Sequence, residues 1–247
     1  RNKLKKYIYF ASDFHLGLEE TNSHYREKII VQWLSKIEKD AKSIYLLGDI
    51  FDFWFEYRKV VPKGFIRFLA KIADLIDKGT EIHLFVGNHD LWLKDYLSTE
   101  IGLIIHHKPI LINVHSKSIY IGHGDGLGDG DYFYKFLKKV FTSNISQWLF
   151  TRLHPNLAFT IAHKWSRGSR RVDENRFISE EKEILLEYCR KLQKINPIDY
   201  YIFGHRHLPL KLKVDEKSQY YNTGDWINHF SYIVLKEGKL STKKFIK

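Results

Sequence analysis

Five short motifs rich in Asp, His and Asn each follow an apolar run of the sequence. Their side chains are oxygen and nitrogen donors of the kind that divalent transition metals take in proteins. Asp49 is the natural bridge between two ions, because a carboxylate has two oxygens and can offer one to each. The motifs are Asp13-Phe14-His15, Gly48-Asp49-Ile50-Phe51-Asp52, Gly87-Asn88-His89-Asp90, Gly122-His123-Gly124-Asp125 and Gly204-His205-Arg206-His207. The sequence therefore predicts a dinuclear metal site.

Strands that end at a common edge are needed to bring these motifs together, and the apolar runs predict such strands. In an open α/β sheet, ligands bind at the carboxyl ends of parallel strands. Segments with helical spacing at residues 27–39 and 65–76 alternate with the first three runs, which predicts parallel strands with helical crossovers. Strands are predicted at residues 6–12, 43–47, 81–86, 110–114, 118–121 and 199–203.

The last part of the chain has a different pattern. Four short apolar runs there, at residues 211–214, 219–222, 230–236 and 239–245, are typical of a closing β-meander. With the alternating segments they predict two sheets packed face to face with helices outside, a four-layer α/β/β/α sandwich. We predict one domain over residues 1–247, with a helical insertion at about residues 131–171.

Composition and charge indicate the cellular compartment of the protein and the chemical class of its partners. The 247 residues are 44% hydrophobic and have no apolar stretch long enough to span a membrane. The basic start runs directly into the first motif, unlike a signal peptide, and the absence of Met predicts residues missing upstream of Arg1. A lone Cys189 excludes an internal disulfide and fits a reducing cytosol. The net charge of +11 predicts an acidic partner (nucleic acid, an anionic membrane surface or a phosphate-rich substrate) unless it serves solubility alone.

The segment 131–171 interrupts the strand pattern and carries most of the excess positive charge. Its apolar residues have helical spacing and include many aromatics, among them Phe136, Phe141 and Trp148. Eight Lys and Arg residues stand there against the single acid Asp131. Such a segment can enclose acyl chains while its cations meet anionic headgroups, or it can be a small helical subdomain that packs only on itself.

In order and spacing, the five motifs resemble those of the calcineurin-like metallophosphoesterase superfamily. The resemblance implies a hydrolase of phosphoric esters or pyrophosphates that uses two divalent ions, with Mn²⁺ favoured and iron, zinc or magnesium left open by the N and O ligands. Ions roughly 3.5–4 Å apart can clamp the attacking and leaving oxygens of a displacement at phosphorus. The implied ligands of one ion are Asp13, His15, Asp49 and His207, and those of the second are Asp49, Asn88, His123 and His205.

The same resemblance gives His89 a catalytic role in place of a ligand's role. In the superfamily the matching histidine protonates or stabilises the leaving oxygen, and either Asp13 or Asp90 can orient such a ring. We interpret Asp52 as a residue that caps its turn, and residues 222–226 beside His229 as a simple turn. The other histidines close no motif and are interpreted as surface or core residues: His24, His83, His106, His107, His115, His154 and His163.

Within the superfamily, the layout after His123 resembles the UDP-2,3-diacylglucosamine pyrophosphohydrolase family of Gram-negative lipid A biosynthesis, which has a helical lid for acyl chains at this point. The resemblance is carried by His123-Gly124-Asp125, Leu127, Asp131, Tyr134, Ile161-Ala162 and Ser169. It implies hydrolysis of an acylated sugar nucleotide to lipid X and UMP, by a cytoplasmic enzyme associated peripherally with the anionic inner membrane. The implied substrate-binding residues are Asn88, His89, Asp131, Ser169 and His205.

Two departures mark a divergent branch of that family. His89 stands where the well-studied branch has Arg, and Gly128-Asp129-Gly130 stands where it has Cys-Thr-Asp.

Two alternative functions stay open. A nuclease or phosphodiesterase would use the basic surface for a phosphate backbone and the aromatics for base stacking, although the resemblance implies that nucleic acid is not a partner. A non-catalytic scaffold would keep the ligands only to bind metal for stability.

Overall fold

Two β-sheets form the centre of the molecule, whose structure is a computed structural model. It describes residues 5–18, 22–129, 132–172, 179–180 and 183–246, without the side chains of residues 163 and 165–172. The strands are β1 Tyr7–Ala11, β2 Ala41–Leu46, β3 Glu81–Phe85, β4 Ile104–His106, β5 Ile110–Val114, β6 Lys117–Ile121, β7 Tyr200–Phe203, β8 Pro209–Lys213, β9 Gln219–Thr223, β10 Ser231–Lys236 and β11 Lys239–Lys244.

The two sheets share one design, in which parallel strands lie at the centre. The six-stranded sheet has the order β11-β10-β1-β2-β3-β4, and β1 to β4 run parallel in it. The five-stranded sheet has the order β5-β6-β7-β9-β8, with β6, β7 and β9 parallel. Because parallel strands end at the same edge, the loops after β1, β2 and β3 meet there, as do those after β6 and β7.

Helices cover the outer faces of both sheets, so the predicted sandwich of two sheets flanked by helices is confirmed. In β1, Tyr9 and Ala11 pack under α1 and α2, whereas Ile8 and Phe10 point into the core between the sheets. This alternation follows from the two-residue period of a strand. The helices are α1 Ser23–Ile37, α2 Ile66–Asp77, α3 Tyr132–Phe141, α4 Asn144–Phe150, α5 Pro155–Val172 and α6 Ile184–Gln193, with a π-helical turn at Leu97–Ile101.

The predicted closing β-meander is wrong. The hairpin β8–β9 completes the five-stranded sheet, whereas the hairpin β10–β11 completes the six-stranded sheet. The chain therefore crosses between the sheets after β9, and hydrophobic spacing alone does not show which sheet a strand joins.

The first helix also begins earlier than predicted, because the Asn22 side chain caps it by accepting a hydrogen bond from the N–H of Tyr25 at 3.0 Å.

Buried carboxylates fix the segments that lead into the motifs. Glu27 of α1 accepts the backbone N–H groups of Arg67 and Phe68, at 3.0 and 3.1 Å, and so satisfies the first turn of α2. Glu56, which follows the second motif, accepts the indole N–H of Trp54 and the backbone N–H groups of residues 94–96. This carboxylate joins the loop after β2 to the loop after β3.

The helical insertion, which we define as residues 132–172, lies between β6 and β7 and docks on the loops after β2 and β3. Its Phe150 ring lies 4.7 Å from that of Phe55 and 4.6 Å from that of Trp92, centroid to centroid. The indole N–H of Trp92 donates to the carbonyl of Phe141 at 2.7 Å. The insertion therefore does not pack only on itself. Among the described residues, no helix is both long and apolar enough to cross a membrane.

A pair of histidines at the β3–β4 edge lies outside the five motifs. His83 Nδ1 lies 2.9 Å from His106 Nε2, and the His83 ring stacks on Tyr45 with centroids 4.3 Å apart. Burial, together with the charge of His106, lowers the pKa of His83 to about 4, although Glu81 acts in the opposite direction. Burial and the neighbouring His107 lower the pKa of His106 as well. The fold thus favours the neutral pair.

We predict an acid-sensitive contribution to stability from this pair. A histidine whose folded pKa is depressed makes the unfolded state bind more protons between about pH 6.5 and 4, so the free energy of unfolding falls as the pH falls through that window. For half-buried His83 we expect roughly 1–2 kcal/mol between pH 7 and pH 5. Chemical denaturation of wild type and His83→Gln at both pH values measures it.

The exposed His24 gives the matched control, His24→Gln, which should keep the wild-type pH dependence. An equal loss of unfolding free energy in wild type and His83→Gln would contradict the prediction.

Candidate metal centre

The five predicted motifs converge at one edge of the sandwich, because each follows the carboxyl end of a central strand. Asp13 and His15 follow β1, and Asp49 follows β2. Asn88 follows β3, His123 follows β6, and His205 and His207 follow β7. Strands from both sheets thus contribute side chains to one cluster.

One half of the cluster holds Asp13, His15, Asp49 and His207, whose donor atoms all lie within 4.8 Å of one another. His207 Nε2 is 3.3 Å from Asp13 Oδ1 and 3.3 Å from His15 Nε2. His15 Nε2 in turn lies 3.9 Å from Asp49 Oδ2. These four are the residues that the family resemblance implies around one ion.

The other half holds Asp49, His123 and His205, again with donor atoms within 4.8 Å of one another. Asn88 completes it, because its Oδ1 is 3.1 Å from His123 Nε2 and 3.0 Å from His205 Nδ1. His123 Nε2 lies 3.3 Å from Asp49 Oδ2. Every residue predicted as a metal ligand is therefore in one of two groups that share Asp49.

The two oxygens of Asp49 do not divide between the two groups as predicted from the sequence. Oδ2 is the oxygen that faces both His15 and His123, at 3.9 and 3.3 Å. Oδ1 instead accepts the backbone N–H of His89 at 2.9 Å. The backbone N–H thus holds the carboxylate in place and turns a single oxygen toward both halves of the cluster.

Electrostatics shows that these residues suit divalent cations. Asp13 Oδ1 is fully buried and accepts no hydrogen bond from the described residues. Burial raises the pKa of Asp13 above its usual value, although His207 and His123 oppose this rise. Burial acts in the same direction on Asp49, but His123 and His89 outweigh it and hold the pKa of Asp49 well below the usual range. Two buried carboxylates this close disfavour joint ionisation, and a cation between them removes that penalty.

The backbone at the cluster is strained. Asp13, His15, Asp49, His205 and His207 have φ between 42° and 68°, in the left-handed region that residues with a Cβ rarely adopt. Such strain persists only where the surrounding structure enforces it, and it is concentrated at functional sites. Gly87 is required for a related reason, because a Cβ there would collide with the carboxylate and backbone of Asp49.

Residues outside the motifs hold the ligands in place. Nδ1 of His123 lies 2.6 Å from the Leu47 carbonyl, so it donates there and leaves Nε2 for a metal. Buried Arg26 donates to the carbonyls of Phe14 and His15, at 2.7 and 2.5 Å. The motif pattern did not indicate Arg26, and its position on the buried face of α1 becomes meaningful only when the helix packs on the first loop.

Neither Asp13 nor Asp90 orients His89, so that interpretation is wrong. His89 Nδ1 lies 3.1 Å from the carbonyl oxygen of Asp52 and donates to it. Asp90 instead accepts the backbone N–H groups of Gly87 and Ile50, at 2.6 and 2.9 Å. The Asp52 carboxylate lies between two rings, 3.5 Å from His15 Nδ1 and 3.7 Å from His89 Nδ1, which fits a supporting role.

The simple turn predicted at residues 222–226 is also wrong, because Asp225 supports the cluster. Its Oδ2 lies 3.5 Å from His207 Nδ1, and its Oδ1 lies 3.1 Å from His229 Nδ1. Burial alone would raise the pKa of Asp225, but hydrogen bonds from His207 and from backbone N–H groups lower it to about 2. The signal was present in the sequence, since Gly224-Asp225 follows β9 as Gly48-Asp49 follows β2.

Three of the five predicted substrate-binding side chains lie within the described part of the structure. Asn88, His89 and His205 line a cavity of about 290 Å³ above the cluster. Asp131 lies outside the described residues. Ser169 lies in α5, but its side chain is likewise outside the described part of the structure.

Comparison with known proteins agrees with this geometry. The family model for calcineurin-like phosphoesterase matches residues 6–209. A protein named UDP-2,3-diacylglucosamine hydrolase from Porphyromonas gingivalis is 37% identical over 251 residues, which cover 94% of each chain. A protein of the same name from Histophilus somni is 25% identical, and the match covers 90% of this chain and 92% of that protein. Another, from Actinobacillus succinogenes, is also 25% identical, and the match covers 88% of this chain and 91% of that protein.

Loss of the shared carboxylate should empty the cluster. In Asp49→Ala both groups of ligands lose a member, so we expect fewer than two bound divalent ions per chain and loss of hydrolysis. Elemental analysis after dialysis against metal, with turnover measured in parallel, tests this. The exposed Asp77 supplies the control, Asp77→Ala, which should keep both ions. Two retained ions with near-normal turnover in Asp49→Ala would refute the shared role.

His89 should affect turnover without affecting metal content. It lies outside the two groups that share Asp49, so His89→Ala should keep two ions while turnover falls roughly 10²–10⁴-fold. The same two measurements distinguish the roles, and His24→Ala serves as a surface control. Loss of metal in proportion to activity would make His89 a ligand or a structural support.

Proposed function

The chain belongs to the calcineurin-like phosphoesterase family and is a hydrolase, and from this premise we propose that it cleaves the pyrophosphate of UDP-2,3-diacylglucosamine. One observation carries the proposal: an insertion with many exposed aromatic side chains docks beside the metal cluster. Water attacks the phosphorus nearer the uridine, the bond from that phosphorus to the bridging oxygen breaks, and the products are UMP and the acylated sugar 1-phosphate, lipid X.

We propose Asp13, His15, Asp49, Asn88, His123, His205 and His207 as the ligands of two divalent ions, with Mn²⁺ as the favoured metal. When bound, such ions supply Lewis acidity that stabilises negative charge on phosphoryl oxygens. The burial of both aspartates and the clustering of four histidines support this assignment.

We propose His89 as the acid for the leaving oxygen. Its Nδ1–H is held by the Asp52 carbonyl, and the residue lines the cavity above the cluster. When the ring is the doubly protonated imidazolium, Nε2 is the atom that gives its proton, or a hydrogen bond, to the bridging oxygen as it departs, which leaves the neutral ring with its proton on Nδ1. Asn88 and His205 line the same cavity, so they can contact the reacting phosphate as well.

The helical insertion supplies the apolar surface that a doubly acylated sugar needs. Several large apolar residues are more than half exposed there, including Phe133 at 72%, Phe136 at 62% and Trp148 at 54%. Exposed apolar residues in such a concentration mark an interaction site. We propose Asp131 and Ser169 as further contacts to the sugar, from the family resemblance of their positions.

The same surface suits peripheral association with the cytoplasmic face of the inner membrane. Exposed Lys139 and Lys164 lie in the insertion with the apolar side chains, and such a combination binds anionic lipid surfaces. Lys138 is unsuited to this role, because it forms an ion pair with buried Asp125 at 2.6 Å.

Removing exposed apolar side chains from the insertion tests the substrate. Phe136→Ala and Trp148→Ala should reduce hydrolysis of the acylated sugar nucleotide by roughly tenfold or more each, because each loses apolar contact area with acyl chains. Cleavage of a small chromogenic phosphodiester should stay near wild type. Phe141 is less informative, because its ring contacts Trp92 and helps to dock the insertion. Ile195→Ala, at a residue 82% exposed outside the insertion, is the control.

Two results would contradict the proposal. One is equal loss on both substrates in variants that keep the wild-type melting temperature. The other is efficient, steeply salt-dependent cleavage of DNA or RNA with no hydrolysis of the acylated sugar nucleotide, which would indicate a nuclease.

A further inference from the structure

The cavity above the metal cluster has a wall that the proposed mechanism does not use. One part of its lining consists of Asp49, of residues 88–89 and of two histidines of the last motif, and the other part consists of Leu208 and of residues 225 and 227–229 in the turn after β9. Within the described part of the chain, no residue of the helical insertion lines this cavity. The turn is therefore a second surface that faces the reacting position.

The turn and the helical insertion contact different loops around the cluster. The insertion docks on the loops after β2 and β3, through contacts to Phe55 and Trp92. The turn is anchored on the loop after β1 instead. The backbone N–H of Trp226 donates to the Asp13 carbonyl at 3.1 Å, and the indole ring of Trp226 packs on Phe14. The turn is thus attached to the loop after β1, and the insertion to the loops after β2 and β3, the next strands of the same sheet.

The cavity is too small and too polar for acyl chains. Its volume of about 290 Å³ is at the lower limit of small-molecule sites, so it can hold one part of a sugar nucleotide with two acyl chains but not the whole molecule. Its lining is dominated by Asp, Asn and His. The apolar part of the substrate fits the exposed insertion, which leaves the polar nucleoside part for this cavity.

The side chains of the turn match a pyrimidine nucleotide. Exposed Asn228 makes no side-chain hydrogen bond to the described residues, and its amide offers a donor and an acceptor to the imide edge of uracil. Leu208 and Ile227 provide apolar surface for the face of a ring. His229 donates from Nδ1 to Asp225 Oδ1, which fixes the ring and leaves Nε2 to accept from a ribose hydroxyl.

We propose that the turn at residues 225–229 is the nucleoside-binding wall, with Asn228 contacting the base and His229 the ribose. The proposal rests on the proposed function, because it assigns the uridine half of that substrate. The scissile pyrophosphate then spans the cluster, with the nucleoside on the β1 side and the acylated sugar on the side of the insertion.

Calorimetric titration of the metal-loaded protein with UMP and with ribose 5-phosphate tests the assignment. Asn228→Ala should weaken UMP binding by roughly five- to tenfold, since about one hydrogen-bonding group is lost, and leave ribose 5-phosphate binding unchanged. His229→Ala should weaken the binding of both. Metal content should stay at the wild-type value in each variant, and Asn196→Ala and His24→Ala, at exposed positions away from the cavity, should bind as wild type.

Unchanged UMP affinity in both turn variants would overturn the proposal, as would a wild-type protein that does not bind UMP. If His229→Ala lowers the melting temperature, the result for exposed Asn228→Ala decides. Hydrolysis of the acylated sugar nucleotide by the wild type is measured separately. Absence of that activity, with UMP binding that still depends on the turn, would reject the proposed function and keep the nucleoside wall.

Discussion

Two carboxylates, Asp13 and Asp49, are buried together at the ends of neighbouring strands, and the structure around them serves to hold them there. Buried charge is unfavourable unless it is paired and hydrogen-bonded. Backbone N–H groups of His89 and His205 donate to the two carboxylates, and histidine rings surround the remaining oxygens. The left-handed backbone at five residues of the cluster is the conformational cost of this arrangement.

Support for the cluster comes from every layer of the sandwich. Arg26 of α1 binds the carbonyls of the first motif, and the ion pair of Glu183 with Arg206 ties the segment before α6 to the last motif. Asp225 orients His207 from the loop after β9. These groups are charged and largely buried, so each is held by several hydrogen bonds or ion pairs. These contacts hold the ligand side chains from several directions and do not themselves select a substrate.

In the proposed function, substrate selection falls to two surfaces beside the centre, the insertion and the turn after β9. On one side, the insertion exposes aromatic and aliphatic side chains such as Phe133 and Ile145 beside exposed cations such as Lys139. On the other side, the turn after β9 offers an amide and an imidazole above a small polar cavity. An amphiphilic substrate with a lipid end and a nucleotide end fits such an asymmetric site, because apolar and polar groups are solvated best on different surfaces.

The sequence by itself determined the chemistry, because ligand type and strand-end position are local properties of each motif. The strand-helix alternation, the ligand candidates and the aromatic insertion after His123 all followed from residue spacing. Only the tertiary structure decided which sheet β8 to β11 join, since both sheets bury similar apolar faces. It also decided that one oxygen of Asp49 faces both halves of the cluster, that the Asp52 carbonyl orients His89, and that Asp225 supports His207. These contacts join segments far apart in the chain, and their distances depend on how two sheets pack, which no local pattern encodes.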